Sequence, residues 1–242
     1  MNKTCWIESE AGEGDRDGIG GRPHLRNGEW PVCTHDQVVT AGGPARCPRF
    51  GKSLTHFFRF DVRPEWGLPF PAGTHFSFFQ CVACADSVIP PDTAPPWQLP
   101  ERFWEGGKKL QGNRNYTNYN WWYASMEPPG TALLRANVAE PLIRPASLGF
   151  SPEGAGTTRT IKVGGEPDWL QDPESYRCSC GSPMAFLCQV SEECEFVTLP
   201  GAPEQSGTYS STNYMIFLGN QAYFFACPRA CNARAVIPAC QG

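Results

Sequence analysis

The chain has 242 residues, 40% of them hydrophobic and only 18% charged, with a net charge of −4. That acidic balance excludes a protein that coats nucleic acid, which needs a basic stripe. No run reaches the ~18–20 apolar residues of a membrane-spanning helix. The 25 glycines and 24 prolines favour short strands and ordered turns over long helices. Behind Met1-Asn2-Lys3-Thr4-Cys5 there is no apolar signal core, so a cytoplasmic protein is expected. In such a chain twelve cysteines point to metal before disulfides.

Residues 1–19 are acidic and glycine-rich, with Glu8, Glu10, Glu13, Asp15 and Asp17, and predict a lead-in strand followed by a mobile loop. Gly20-Gly21 before Pro23 reads as a bend, and Trp30-Pro31 as an anchored turn ahead of Cys33. Residues 34–50, which carry His35 and Cys47, have the look of an insertion. Residues 54–62 alternate well enough to be a strand. Phe76-Ser77-Phe78-Phe79 is the next strand and delivers Cys81 and Cys84 onto a turn.

Pro90, Pro91, Pro95, Pro96 and Pro100 then rule out a regular helix at the start of the 91–154 segment. A run rich in aromatics and amides follows at 113–123. Its Trp121, Trp122 and Tyr123 are expected either to be buried between the flanking segments or to anchor a protein partner. A short helix fits near 132–140.

From residue 155 the earlier landmarks return. Thr160-Ile161-Lys162-Val163 reads as a strand, and Gly164-Gly165-Glu166-Pro167-Asp168-Trp169-Leu170-Gln171 as a second double-glycine bend. Cys178-Ser179-Cys180-Gly181 precedes a central strand at 184–190, where Cys188 reads as core. Residues 191–213 read as a polar loop containing Cys194. Residues 214–218 and 222–225 flank Gly219-Asn220 as a hairpin. Cys227-Pro228-Arg229-Ala230-Cys231 closes this half, and Cys240 lies in the tail.

Landmarks in the two halves lie 144 residues apart at Gly20 and Gly164, 130 at Gly51 and Gly181, and 146 at Gly73 and Gly219. The tails agree as well, Val88-Ile89-Pro90 against Val236-Ile237-Pro238. Landmarks recurring in the same order predict an internal duplication, and the drop to 130 in the middle means that each copy carries one extra loop.

The short cysteine spacings are too tight for an ordinary structural disulfide and suit thiolates converging on one tetrahedral ion. Cys178, Cys180, Cys227 and Cys231 form two such pairs some fifty residues apart, the ribbon-like arrangement of a closed zinc site. In the first half the expected ligands are Cys33, Cys47, Cys81 and Cys84, with His35 as the substitute for Cys47. Both ions would be structural, because four ligands leave no position for a water. Phosphate-loop, dinucleotide, metalloprotease and hydrolase-elbow motifs are absent from the sequence. Of the four histidines, His56 and His75 fall on expected strands, where sheet positions are commoner than a catalytic base.

The string Gly-Gly-x-Pro-x-Trp-Leu-Gln, then Cys-x-Cys-Gly-x-Pro-Met-x-Phe-Leu-x-Gln-Val, then Tyr-x-Phe-x-Cys-x-x-x-Cys resembles the bacterial YwqG-like family, also known as domain of unknown function 1963. It is similar as well to the eukaryotic programmed cell death protein 2 and its yeast counterpart. The resemblance covers residues 18–90 and 155–242 and is sharper in the second stretch. It implies an α+β, predominantly antiparallel β pseudo-dimer with zinc-ribbon-like knuckles, divided into a first repeat (1–90), a connecting segment (91–154) and a second repeat (155–242). It also implies protein binding, as the immunity partner of a secreted toxin or as a chaperone holding a basic client; both suit an acidic chain. An enzyme acting on a small molecule between the repeats is the alternative, and a redox-sensing zinc protein a third reading.

Overall fold

The computed structural model describes residues 5–9, 22–23, 39–40, 43–44, 54–84, 97–99, 122–129, 147–151, 159–192, 194–198, 202–208 and 213–242. Among the described residues sixteen strands run in chain order as β1 (Cys5–Ser9), β2 (Arg22–Pro23), β3 (Val39–Thr40), β4 (Gly43–Pro44), β5 (Thr55–Asp61), β6 (His75–Gln80), β7 (Trp97–Gln98) and β8 (Trp122–Glu127). They continue as β9 (Ser147–Ser151), β10 (Arg159–Val163), β11 (Tyr176–Arg177), β12 (Ala185–Val190), β13 (Glu195–Val197), β14 (Asn213–Met215), β15 (Gln221–Ala226) and β16 (Val236–Gln241). The largest sheet has the order β16-β15-β12-β10-β1-β9-β2, and a second joins β5, β6 and β8. Pairing is antiparallel except for β2 with β9 and β7 with β11.

Among the described residues there is no α-helix, only 3-10 turns at Pro64–Trp66 and Ile216–Gly219. The α+β expectation is therefore corrected to a β-rich fold. The helix expected near 132–140 lies outside the described residues. The segments expected to stand apart along the chain interleave in the sheets. β1 pairs with both β9 and β10, and β8, from the middle segment, pairs with β6.

Successive side chains of a strand point to opposite faces, and in β6 and β15 both faces are buried. Phe58 and Phe60 on β5 sit opposite Phe78 and Phe76 on β6. The Phe58 and Phe78 rings stack at 4.2 Å. Phe224 of β15 packs edge-on against Phe78 at 4.6 Å and Phe58 at 6.0 Å. One ring thus joins the three-stranded sheet to the seven-stranded one. The β5–β6 register shifts between His56 and Phe58. The extra residue there, Phe57, packs edge-on against Phe196 of β13 at 5.0 Å.

Two expectations for the second half are corrected here. The supposed polar loop at 191–213 contains β13, and β14 pairs with β13 rather than forming a hairpin with β15. The reason is the turn between β14 and β15. Phe217, Leu218 and Gly219 are all left-handed, with φ of 49°, 62° and 79°, so the chain leaves one sheet and enters another. For non-glycine residues that conformation costs ~1–2 kcal/mol each. Burial of the Phe217 ring against Phe224 and a 2.8 Å bond from its N–H to Gln80 Oε1 oppose that cost.

Candidate metal centre

β12 and β15 are neighbours and run antiparallel, so the start of one lies beside the end of the other, Ala185 opposite Ala226. The turn before β12 and the turn after β15 therefore meet at one end of the sheet. In the first turn the Gly181 N–H donates to the Cys178 carbonyl and the Cys178 N–H to the Ser182 carbonyl, both at 2.8 Å. Gly181, at φ 81°, supplies the left-handed corner. In the second the Ala230 N–H donates to the Cys227 carbonyl at 2.9 Å. Each turn presents one buried cysteine (Cys178, Cys227) and one exposed cysteine (Cys180, Cys231).

The four sulfurs all lie within 4.8 Å of one another. Cys178 to Cys231 is 3.4 Å and Cys180 to Cys227 is 3.6 Å. A disulfide requires about 2.05 Å. A tetrahedral ion with metal–sulfur bonds of about 2.3 Å has edges of about 3.8 Å. The cluster fits a metal ion and not two disulfides, as the spacing predicted.

Electrostatics single out Cys180 among these thiols. Foremost the Ser182 backbone N–H holds Cys180 down at about 7, against a smaller opposing effect of burial. Cys227 and Cys231 are raised, first by burial, so a metal must displace their protons. Cys188 on β12 is pushed well up by burial alone, and Cys194 up to about 12 by burial and the Glu195 carboxylate. Those two are inert core thiols, as was expected for Cys188.

Next to the knuckles lies the strap 164–172, which carries the double-glycine motif. Gly164 and Gly165 are both left-handed (φ 70° and 72°) and turn the chain back over the sheet. A row of polar side chains then grips it. Lys162, Gln189 and Tyr223 are direct cross-strand neighbours on β10, β12 and β15. Lys162 Nζ pairs with the Asp168 carboxylate at 2.8 Å. Gln189 Oε1 accepts the Asp168 N–H at 2.9 Å. The Tyr223 hydroxyl donates to the Asp168 carbonyl at 2.7 Å and accepts the Leu170 N–H at 3.0 Å. Gln241 on β16 accepts the Gln171 N–H at 2.9 Å. Sequence reasoning missed this ladder; its signal is one polar residue at matching parity in each of several apolar strands.

The strap holds Trp169 over Tyr223, with ring centroids 4.5 Å apart, and leaves Leu170 52% exposed. Tyr223→Phe removes one donor and one acceptor from the strap. A loss of about 1–2 kcal/mol is expected in urea unfolding, with the metal content unchanged.

The other expected site residues fare differently. Cys81 and Cys84 do sit on a turn after β6, with the Cys84 N–H bonded to the Cys81 carbonyl at 3.2 Å. Cys33, His35 and Cys47 lie outside the described residues, as do Trp121 and the side chain of Tyr123. Trp122, expected either to be buried or to anchor a partner, is 6% exposed and lies on β8 opposite Gln80.

His75 is also buried. Its Nδ1 lies 2.6 Å from Asp61 Oδ1, and with the proton on Nδ1 its Nε2 accepts from the Ser77 hydroxyl at 2.9 Å. The order matches a hydrolase relay. Ser77, however, is paired on both sides in the middle of β6 and is 4% exposed, which leaves a substrate no approach. The relay ties the end of β5 to β6.

Among the described residues no helix is long and apolar enough to cross a membrane. No family model matches the chain, and no curated protein or solved structure matches it.

Proposed function

We propose that this chain is a non-enzymatic, zinc-stabilised protein-binding module related to the YwqG-like family, with an internally duplicated fold. The observation that carries the proposal is the closed four-thiolate cluster beside an anchored strap that presents one exposed leucine. Zinc is the ion of choice because an all-sulfur tetrahedral shell suits it and leaves no open position for chemistry. Its work is then to clamp the two knuckles and stabilise the fold.

The strap supplies the contact. Leu170 is the exposed large hydrophobic residue among those described, and Glu166, Asp168 and Asp172 around it are exposed as well. An apolar anchor within an acidic rim suits a basic segment carrying an apolar side chain. A toxin neutralised by this chain and a basic client held by it both have that chemistry. Leu170 thereby takes over the anchoring role expected of Trp122.

The test uses a panel of lysine- and arginine-rich peptides with a central leucine or phenylalanine, read by isothermal titration calorimetry. Binding to the wild type and at least tenfold weaker binding to Leu170→Asp, about 1.4 kcal/mol, are expected, with an unchanged melting temperature. Equal binding by the variant, or none by the wild type, sinks the assignment of the surface. Elemental mass spectrometry of the purified protein tests the ion.

A further inference from the structure

The two strand pairs that lead into cysteine turns are built alike. In the first, Thr55, His56 and Phe58 pair with Gln80, Phe79 and Phe78. In the second, Ala185, Phe186 and Cys188 pair with Ala226, Phe225 and Phe224. Each skips one residue at the same place, Phe57 in one and Leu187 in the other. Bulges re-aim a strand, so a shared bulge at a shared position gives the two pairs the same local twist.

Cys81 follows the residue opposite Thr55, just as Cys227 follows the residue opposite Ala185. Both then enter a turn closed by a bond from the N–H three residues on, 3.2 Å from Cys84 and 2.9 Å from Ala230. Cys227 and Cys231 belong to the thiolate cluster. Cys81 occupies the place of Cys227, and Cys84 sits at the turn-closing position, one residue short of the place of Cys231. Cys81 and Cys84 are 1% and 0% exposed. The turn is also tied down, with the Ser206 N–H bonded to the Val82 carbonyl at 3.0 Å.

Buried cysteines can be plain apolar filler, and Cys188 and Cys194 are. Those two stand singly, on a strand and beside a strand. Two cysteines three residues apart on one rigid turn are instead the half-set a tetrahedral thiophilic ion requires.

We propose that Cys81 and Cys84 are two ligands of a second metal ion, of the same zinc class as the first. The inference rests on the matched strand pairs, and it extends the zinc reading of the first cluster. By sequence, the completing ligands are to be sought among Cys33, His35 and Cys47.

The experiment is the zinc content of the full chain, purified under reducing conditions, for wild type, Cys81→Ser with Cys84→Ser, and Cys227→Ser with Cys231→Ser. Two ions per wild-type chain and one in each double variant are the expected result. One ion in the wild type, kept by Cys81→Ser/Cys84→Ser and lost from Cys227→Ser/Cys231→Ser, overturns the second site and leaves the first standing. No zinc in any sample overturns both, so the two failures are distinguishable.

Should Cys81→Ser/Cys84→Ser not fold, cobalt titration of the metal-stripped wild type decides. Thiolate charge-transfer absorption must rise to two equivalents, and saturation at one rejects the site. Among Cys33→Ser, His35→Ala and Cys47→Ser, at least one must lower the second equivalent; if none does, the proposal fails.

Discussion

If the described cluster holds the proposed ion, Cys227→Ser is expected to release it and to lower the melting temperature by about 8–16 °C. Cys227 is fully buried, directly follows β15 and lies 3.6 Å from Cys180 across the two knuckles. A hydroxyl in its place leaves three thiolates and an open position, and a site built to be closed loses its ion. An ion present at about a thousand times its dissociation constant stabilises the native state by about 4 kcal/mol. A chain of this size moves about 2–4 °C for each kcal/mol. A chelator added to the wild type must lower the melting temperature by at least as much. Cys188→Ser is the control: it places a hydroxyl in a buried, apolar site and lowers stability without changing the metal content. If Cys227→Ser melts within about 3 °C of wild type, metal binding is not what holds this end of the sheet.

The cysteine cluster was legible in the sequence because each half of it is local. Cys178 and Cys180 share one tight turn and Cys227 and Cys231 another, so the spacing alone brings each pair together. That the two turns meet is a consequence of β12 and β15 being antiparallel neighbours, which the ribbon-like order of the pairs implied. The ladder under the strap could not be read this way. Lys162, Gln189 and Tyr223 come from three strands as far as 61 positions apart, and only the register aligns them. Gly219-Asn220 misled for the opposite reason. The local signal for a tight hairpin is present, but tertiary packing of Phe217 and its bond to Gln80 impose a left-handed turn between sheets. Trp122 was ambiguous in principle, since a large aromatic serves equally as core or as anchor; its burial in the fold decides.

Phe224→Ala tests whether the sheets share a core, and it is expected to cost about 3–5 kcal/mol. The same scaling puts the loss in melting temperature at about 6–20 °C. Phe224 is 1% exposed and its ring meets Phe78, Phe58 and Phe217, so truncation opens a cavity where three segments converge. The neighbouring Phe186, half-buried and packed against Phe225 at 5.8 Å, provides the comparison. Its alanine variant leaves less of a void, because solvent already reaches the site, and the expected cost is about 1–2 kcal/mol. Cooperativity carries the sharper information. A bond of 2.7 Å from the Met126 N–H on β8 to the Ala233 carbonyl before β16 also links the sheets, so unfolding of Phe224→Ala remains a single transition at lower temperature. Two resolved transitions would instead mean that β5-β6-β8 and the seven-stranded sheet hold separate cores, with the Phe224 contact only a seam between them. The cysteine cluster would then clamp only its own half of the chain, and Cys227→Ser would shift only one of the two transitions.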